Sequence, residues 1–206
     1  ADREHYANMA WLTDFDPRFE EALWIQGPGD KPSLLAGNES FDYARAQVKL
    51  DAQVMLCQTL SLPDQDRSLS PSLPELLKQA GIEAGMRVGI VGWRDKPEPD
   101  IPYWMVLAVN DLTGVAAENA TGLLIAAGSG LRLPVEAEMV PFLEYAAGLT
   151  SDSIRRWVHS LEEGMSERDA AAAFEGYGLE LSCHAMVNFG PRIPSGLKSP
   201  RNGRVV

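Results

Sequence analysis

The stretch Ala7–Ile25, ANMAWLTDFDPRFEEALWI, constrains this chain more than any other. In its first part, Asn8 to Phe15, the large apolar groups are Trp11, Leu12 and Phe15, set among polar neighbours. Asp14-Phe15-Asp16-Pro17-Arg18 then reads as a turn. Asp side chains accept local backbone hydrogen bonds, and Pro17 fixes its own φ while keeping Asp16 out of the helical region. Phe19 to Ile25 follows, with the apolar end Ala22-Leu23-Trp24-Ile25. The loop Gly27-Pro28-Gly29-Asp30-Lys31 separates it from a second apolar run, Pro32-Ser33-Leu34-Leu35-Ala36. Strand, glycine turn, strand is the simplest reading.

Further along, Ser40 to Gln47 has helix-compatible residues, Val54-Met55-Leu56-Cys57 reads as a short buried strand, and Ser61 to Ser70 is a polar loop. Ser72 and Glu75 have capping-box spacing. They open a helix whose apolar face is Leu73, Leu76, Leu77 and Ala80, closed by Gly81. Arg87 to Trp93, RVGIVGW, reads as a strand buried on both faces, because its β-branched centre shows no alternation. Its glycines match neither a phosphate-binding loop nor a dinucleotide-binding turn. Arg94 to Pro99 is a charged loop, and Asp100 caps a helix over Tyr103 to Leu112. Val115 to Ala120 reads as a short strand and Thr121 to Ala127 as a short helix. Alternating elements of this size predict an α/β layer structure.

Gly128-Ser129-Gly130 is the expected boundary, dividing the chain into 1–130 and 131–206. Beyond it, Val135, Met139, Phe142, Leu143, Ala146, Ala147, Ile154, Trp157, Val158 and Leu161 recur at helical steps. Pro141 and Gly148 predict a kink or break in that helix, and Gly164 its end. Ser166 and Asp169 open another helix, and Leu179 to Asn188 reads as a strand.

Composition excludes some function classes. A net charge of −11 argues against a general nucleic-acid binder, since no basic field is present to neutralise phosphate. No apolar run approaches a membrane span, and Ala1-Asp2-Arg3-Glu4-His5 opens on polar sequence rather than a secretory signal. Cys57 and Cys183 lie far apart, without metal-ligand spacing. Two buried thiols in a reduced, cytoplasmic compartment is the favoured reading, with a single disulfide as the alternative.

The opening run resembles the N-terminal domain of the creatinase/aminopeptidase P/prolidase family, the pita-bread metallopeptidases, whose members carry a run of the form ANxxYLTGFDxRFEEALLV followed by a hairpin and a short GNE. Gly37-Asn38-Glu39 stands in the last place here, and Asp14 stands where Gly is usual. RVGIVGW, the linker Leu131 to Glu138, Gly164-Met165-Ser166-Glu167 and Leu179 to His184 are similar to further family segments. The resemblance implies a creatinase-like α/β domain, a mixed sheet flanked by helices, followed by the start of a pita-bread α+β catalytic domain. It also implies that the chain enters its first domain past an initial strand and helix.

The family's catalysis uses two divalent metal ions (Mn, Co or Zn), which polarise a carbonyl and make hydroxide from water. Their ligands correspond to no residue here, so the resemblance implies that this chain does not build the dinuclear site alone. His184 is the best candidate catalytic group, although a structural, hydrogen-bonded histidine is the favoured reading. The family commonly places a substrate-facing His soon after a turn like Asn188-Phe189-Gly190-Pro191, and Arg192 to Leu197 holds none. On a strand, Cys183 and His184 would face opposite ways and could not act as a thiol–imidazole pair. Asp14, Asp16, Glu20 and Glu21 read as turn chemistry and solvated strand positions. Arg18, Trp93 and Trp104 are candidate substrate- or partner-facing residues, because family N-terminal domains often reach toward a dimer partner's site.

The leading expectation is part of a hydrolase resembling Xaa-Pro aminopeptidase or prolidase. It would act on small peptides or amides at a C–N bond, work as a homodimer or with a catalytic subunit, and carry its metal site outside these residues. The alternatives are a non-catalytic binding or regulatory subunit, and a metal-independent, creatinase-like amidinohydrolase using a His.

Overall fold

Short helices and strands alternate in the first part of the chain: α1 (Ala7–Thr13), β1 (Ala22–Ile25), β2 (Ser33–Ala36), α2 (Phe41–Gln47), β3 (Gln53–Leu56), α3 (Leu73–Gln79), β4 (Gly89–Ile90), α4 (Tyr103–Thr113), β5 (Glu118–Asn119) and α5 (Gly122–Ile125). Two helices follow, α6 (Val140–Ser160) and α7 (Glu167–Ala172), with 3-10 turns at Ala137–Met139 and Gly190–Ser195. This computed structural model describes residues 6–28, 31–92, 101–179, 181 and 183–202. It separates into two units, Ala1–Pro134 and Val135–Val206.

In the first unit, β2 lies between β1 and β3. β1 runs antiparallel to it with Leu23 opposite Leu35, and β3 runs parallel with Met55 opposite Leu35, so the sheet is mixed. All four residues of β2 are buried, and successive side chains leave on opposite faces. Leu35 joins Met55, Leu76, Leu77, Met105 and Val109, a cluster drawn from β3, α3 and α4. Leu34 and Ala36 join Met9, Phe15, Ala22 and Ala44, a cluster that includes α1, α2 and the turn after α1. Helices on both sides of a central sheet make this an α/β layer structure. Each large side chain buried this fully contributes about 1.5–3 kcal/mol.

Several local expectations meet a different outcome. The strand over Arg87 to Trp93 shrinks to Gly89–Ile90, which pairs only with the two-residue β5. Gly89 is exposed, and Arg87 and Glu118 form an exposed ion pair at 2.8 Å, so the pair of strands is not buried on both faces. Asp100 lies outside the described residues, and Pro102 stands at the N-cap of α4. The helix α6 runs unbroken through Gly148. Pro141 sits in its first turn, where the missing N–H would have had no helical acceptor, and one interior Gly costs only about 1 kcal/mol. That helix ends at Ser160, before Gly164, because Leu161 is already extended. No strand forms among the described residues of 179–188. A strand needs a neighbour for its N–H and C=O groups, and no other strand is described in the second unit.

The local capping expectations hold. Ser72 and Glu75 form the capping box of α3, and Ser166 and Asp169 that of α7. Among the described residues, no helix is long and apolar enough to cross a membrane.

Candidate functional site

The best-built polar constellation lies where β2 ends. Glu20 is 1% exposed. Its Oε2 accepts the backbone N–H groups of Glu39 at 3.1 Å and Ser40 at 2.9 Å, while Ser40 Oγ donates to the Pro17 carbonyl at 3.2 Å. A Cβ on residue 37 would come within 2.6 Å of that carboxylate, which is why glycine stands there. Glu20 is therefore a buried anchor for the Gly37–Ser40 turn rather than a solvated strand residue. Burying a carboxylate is tolerable only when donors meet it; two backbone N–H groups meet Oε2 here, while Oε1 is buried without a hydrogen-bond partner.

Beside it, Asn38 and the buried Gln58 hold the polar loop that follows β3. Gln58 Oε1 accepts from the N–H groups of Leu69 at 2.6 Å and Ser70 at 2.9 Å. Its Nε2 donates to Asn38 Oδ1 and to the Asp66 carbonyl, both at 2.8 Å. The Asn38 N–H donates to Ser61 Oγ at 2.9 Å. Nothing near Gln58 in the sequence marks its role. The visible signal was only Gly37-Asn38-Glu39, because the partners lie about twenty residues away.

Arg18 is exposed, and its φ of 60° lies in the left-handed region. Its N–H donates to Asp16 Oδ1 at 3.1 Å, and its guanidinium meets Asp16 at 3.6 Å. Asp14, also left-handed, caps the C-terminus of α1 and pairs with Lys49 at 2.5 Å. Trp104 is 37% exposed at the start of α4, and the preceding Tyr103 is 63% exposed. Trp104 lines an open groove of about 430 Å³ between α3 and α4, together with Pro74, Lys78, Leu107, Asp111 and Leu112. Trp93 lies outside the described residues.

In the second unit, His184 sits in an irregular, exposed segment and not on a strand, so facing arguments based on strand geometry do not apply to it. No hydrogen bond or ion pair reaches it among the described residues. Cys183 is exposed as well, contrary to the expectation of two buried thiols, because the segment that carries it forms no core strand. Cys57 is buried and free, and burial pushes its thiol up from the ordinary value, which makes it a poor nucleophile. The second unit's buried charged anchor is Glu167, 2% exposed. It accepts the N–H groups of Phe189 at 3.0 Å and Arg201 at 3.2 Å and pairs with the Arg192 guanidinium. One carboxylate thus closes both ends of the loop between Phe189 and Arg201.

The pair of metal ions that the resemblance implies has no holder among the described residues, where no group of three or more His, Cys, Asp or Glu comes together. What the described polar groups do is position turns and loops.

No family model matches the chain, and no curated protein matches it. Solved structures do. The prolidase from Pyrococcus furiosus matches with a TM-score of 0.62 at 17% identity, over 96% of this chain and 51% of that one. The dipeptidase PepE from Mycobacterium ulcerans matches at 0.59 and 17%, over 97% and 50%. The prolidase from Pyrococcus horikoshii matches at 0.58 and 14%, over 82% and 40%. The chain spans about half the length of these structures or less. On this evidence its fold matches about half of the prolidase and Xaa-Pro peptidase structures, their N-terminal domain included.

Proposed function

We propose that the chain is part of a prolidase-like or Xaa-Pro aminopeptidase-like hydrolase that cleaves small peptides at a C–N bond. The observation that carries this reading is the fold match to the Pyrococcus furiosus prolidase over 96% of the chain. The metal site, two divalent ions (Mn, Co or Zn), lies outside these residues. When bound, the ions supply Lewis-acid polarisation and a hydroxide nucleophile. The work of this chain is to shape and hold. Glu20, Asn38 and Gln58 fix the turn and loop at the end of β2, and Glu167 fixes the loop from Phe189 to Arg201. Trp104, Trp93 and Arg18 face substrate or a partner protomer, in a cytoplasmic homodimer or a pairing with a catalytic subunit. The division at about residue 130 separates a creatinase-like domain from the beginning of a catalytic one.

A second reading has its own support. His184 is exposed and without a hydrogen-bond partner among the described residues, which leaves its imidazole available for proton transfer in a metal-independent, creatinase-like hydrolysis.

The test is hydrolysis of proline-containing dipeptides and of small amides by the protein purified from its own source, with metal analysis. Metal-dependent dipeptide cleavage that survives His184→Ala supports the first reading. Cleavage that needs no metal and is lost in His184→Ala supports the second. No hydrolysis with or without metal defeats both and leaves a binding or regulatory subunit.

A further inference from the structure

The helices α3 and α4 each bury one side and leave another side facing a shared groove. Leu73, Leu76 and Leu77 of α3 and Met105, Val106 and Val109 of α4 are buried. Pro74 and Lys78, one turn apart on α3, line the groove from one side, and Trp104 and Asp111 of α4 line it from the other. Ala108 and Leu112 line it too and are packed against the core cluster, so they form an apolar floor. The small side chain of Ala108 leaves that floor deep. The space of about 430 Å³ falls within the range of small-molecule sites.

The charged and aromatic groups on these walls have no partners among the described residues. Lys78 and Asp111 form no salt bridge, with each other or with any other described group. Glu75, one turn before Lys78, is already engaged: the Ser72 N–H and hydroxyl donate to its Oε2 at 2.8 and 2.7 Å. Glu83 borders an adjoining opening together with Lys78 and forms no salt bridge with it either. No ring partner meets the Trp104 indole. A cation, a carboxylate and an aromatic face around one apolar floor complement a single molecule that carries the matching groups.

We propose that the groove between α3 and α4 binds a free aromatic α-amino acid, with its ring on Trp104, its ammonium group at Asp111 and its carboxylate at Lys78. The occupant is a small zwitterion because opposite charges line one cavity and the same molecule answers both. This goes beyond the prolidase-like reading, and it gives Trp104 a small molecule rather than a partner protomer to face.

The test is calorimetry and saturation-transfer NMR on the protein in its native assembly, with L-phenylalanine, its C-terminal amide and its N-acetyl derivative as probes. L-phenylalanine should bind with a Kd on the order of 1 mM, with saturation strongest at its ring protons. The amide lacks the carboxylate and the acetylated form lacks the ammonium, so each should bind about tenfold more weakly. Lys78→Met should weaken the amino acid to the level of the amide and leave the amide unchanged. Asp111→Asn should do the same with respect to the acetylated form. Both residues are exposed, so neither change threatens the fold. Ala108→Leu should fill the groove and abolish binding at unchanged helical circular dichroism. No saturable binding up to roughly 10 mM overturns the proposal. So does an amide that binds as tightly as the acid, or binding indifferent to Lys78→Met and Asp111→Asn. Binding without dipeptide hydrolysis leaves the proposal standing and defeats the prolidase-like reading, and hydrolysis without binding does the reverse.

Discussion

The two units of this molecule are held together by different means. In the first, apolar side chains from Met9 to Val109 are buried in clusters on both faces of the sheet. In the second, Ala170 is the only buried apolar side chain among the described residues, and order comes from polar anchors. These are Glu167 with Arg192, Asp152 with Tyr177 and two arginines, the Trp157 indole on a carbonyl, and the capping box of α7. Apolar burial tolerates imprecise geometry, whereas a buried carboxylate is stable only with its partners in place. The first unit is therefore expected to depend on its apolar packing, and the second on its polar partners staying in place.

The largest expected effect tests the apolar side of that contrast. Phe15 is fully buried beside Tyr43, with ring centroids 5.4 Å apart. Phe15→Ala should destabilise the first unit by about 3–5 kcal/mol, read as a lower denaturation midpoint at unchanged slope. Next comes the polar side. Glu167→Gln keeps the shape but removes the charge opposite Arg192, and should cost roughly 1.5–3 kcal/mol. Hydrogen exchange should show it first as lost protection at the Phe189 and Arg201 amides. If Glu167→Gln instead lowers the first unit's midpoint as much as Phe15→Ala does, the contrast is wrong.

A smaller effect compares like with like. Ser72→Ala and Ser166→Ala each remove a capping-box residue and should each cost about 1 kcal/mol. Equal losses by thermal melting would mean that local capping is worth the same in both units, so that the difference between them lies in packing. The smallest effect is electrostatic. The Tyr177 hydroxyl, then Arg155 and Arg156, hold the partly exposed Asp152 carboxyl at about 2, below its ordinary 3.8. A lowered carboxyl stabilises the fold fully above 3.8 and loses that contribution as pH falls through about 2. The Tyr177 ring resonances should therefore stay constant from neutral pH to about 4 and shift only near pH 2. A shift centred near 3.8 would show that the Asp152–Tyr177 contact is absent in solution.

Legibility followed sequence distance. Both capping boxes were readable because their partners are three residues apart, as were the hairpin around the Gly27 to Lys31 loop and the helix after Ser72. Glu20 reads as solvated in the sequence because nothing near it marks burial. The donors that make its burial affordable come from residues 39 and 40. The strand expected over Leu179 to Asn188 failed for the opposite reason: its composition suits a strand, but no neighbouring strand is described to pair with it. For the candidate site, the sequence singled out Arg18, Trp93, Trp104 and His184. It was silent on Gln58 and Arg192, whose roles exist only through contacts made across the chain.

By itself, then, the sequence determined the local grammar: where helices begin, where the hairpin turns, and that the first half is built of alternating strands and helices. Those outcomes depend on interactions within a few residues and on the periodicity of apolar side chains. Only the tertiary structure decided that β3 runs parallel to β2, that Glu20 is buried against Gly37, and that α6 passes straight through Gly148. Each depends on which distant group arrives to satisfy a backbone donor, a carboxylate or an apolar surface, and that is a property of the packed chain.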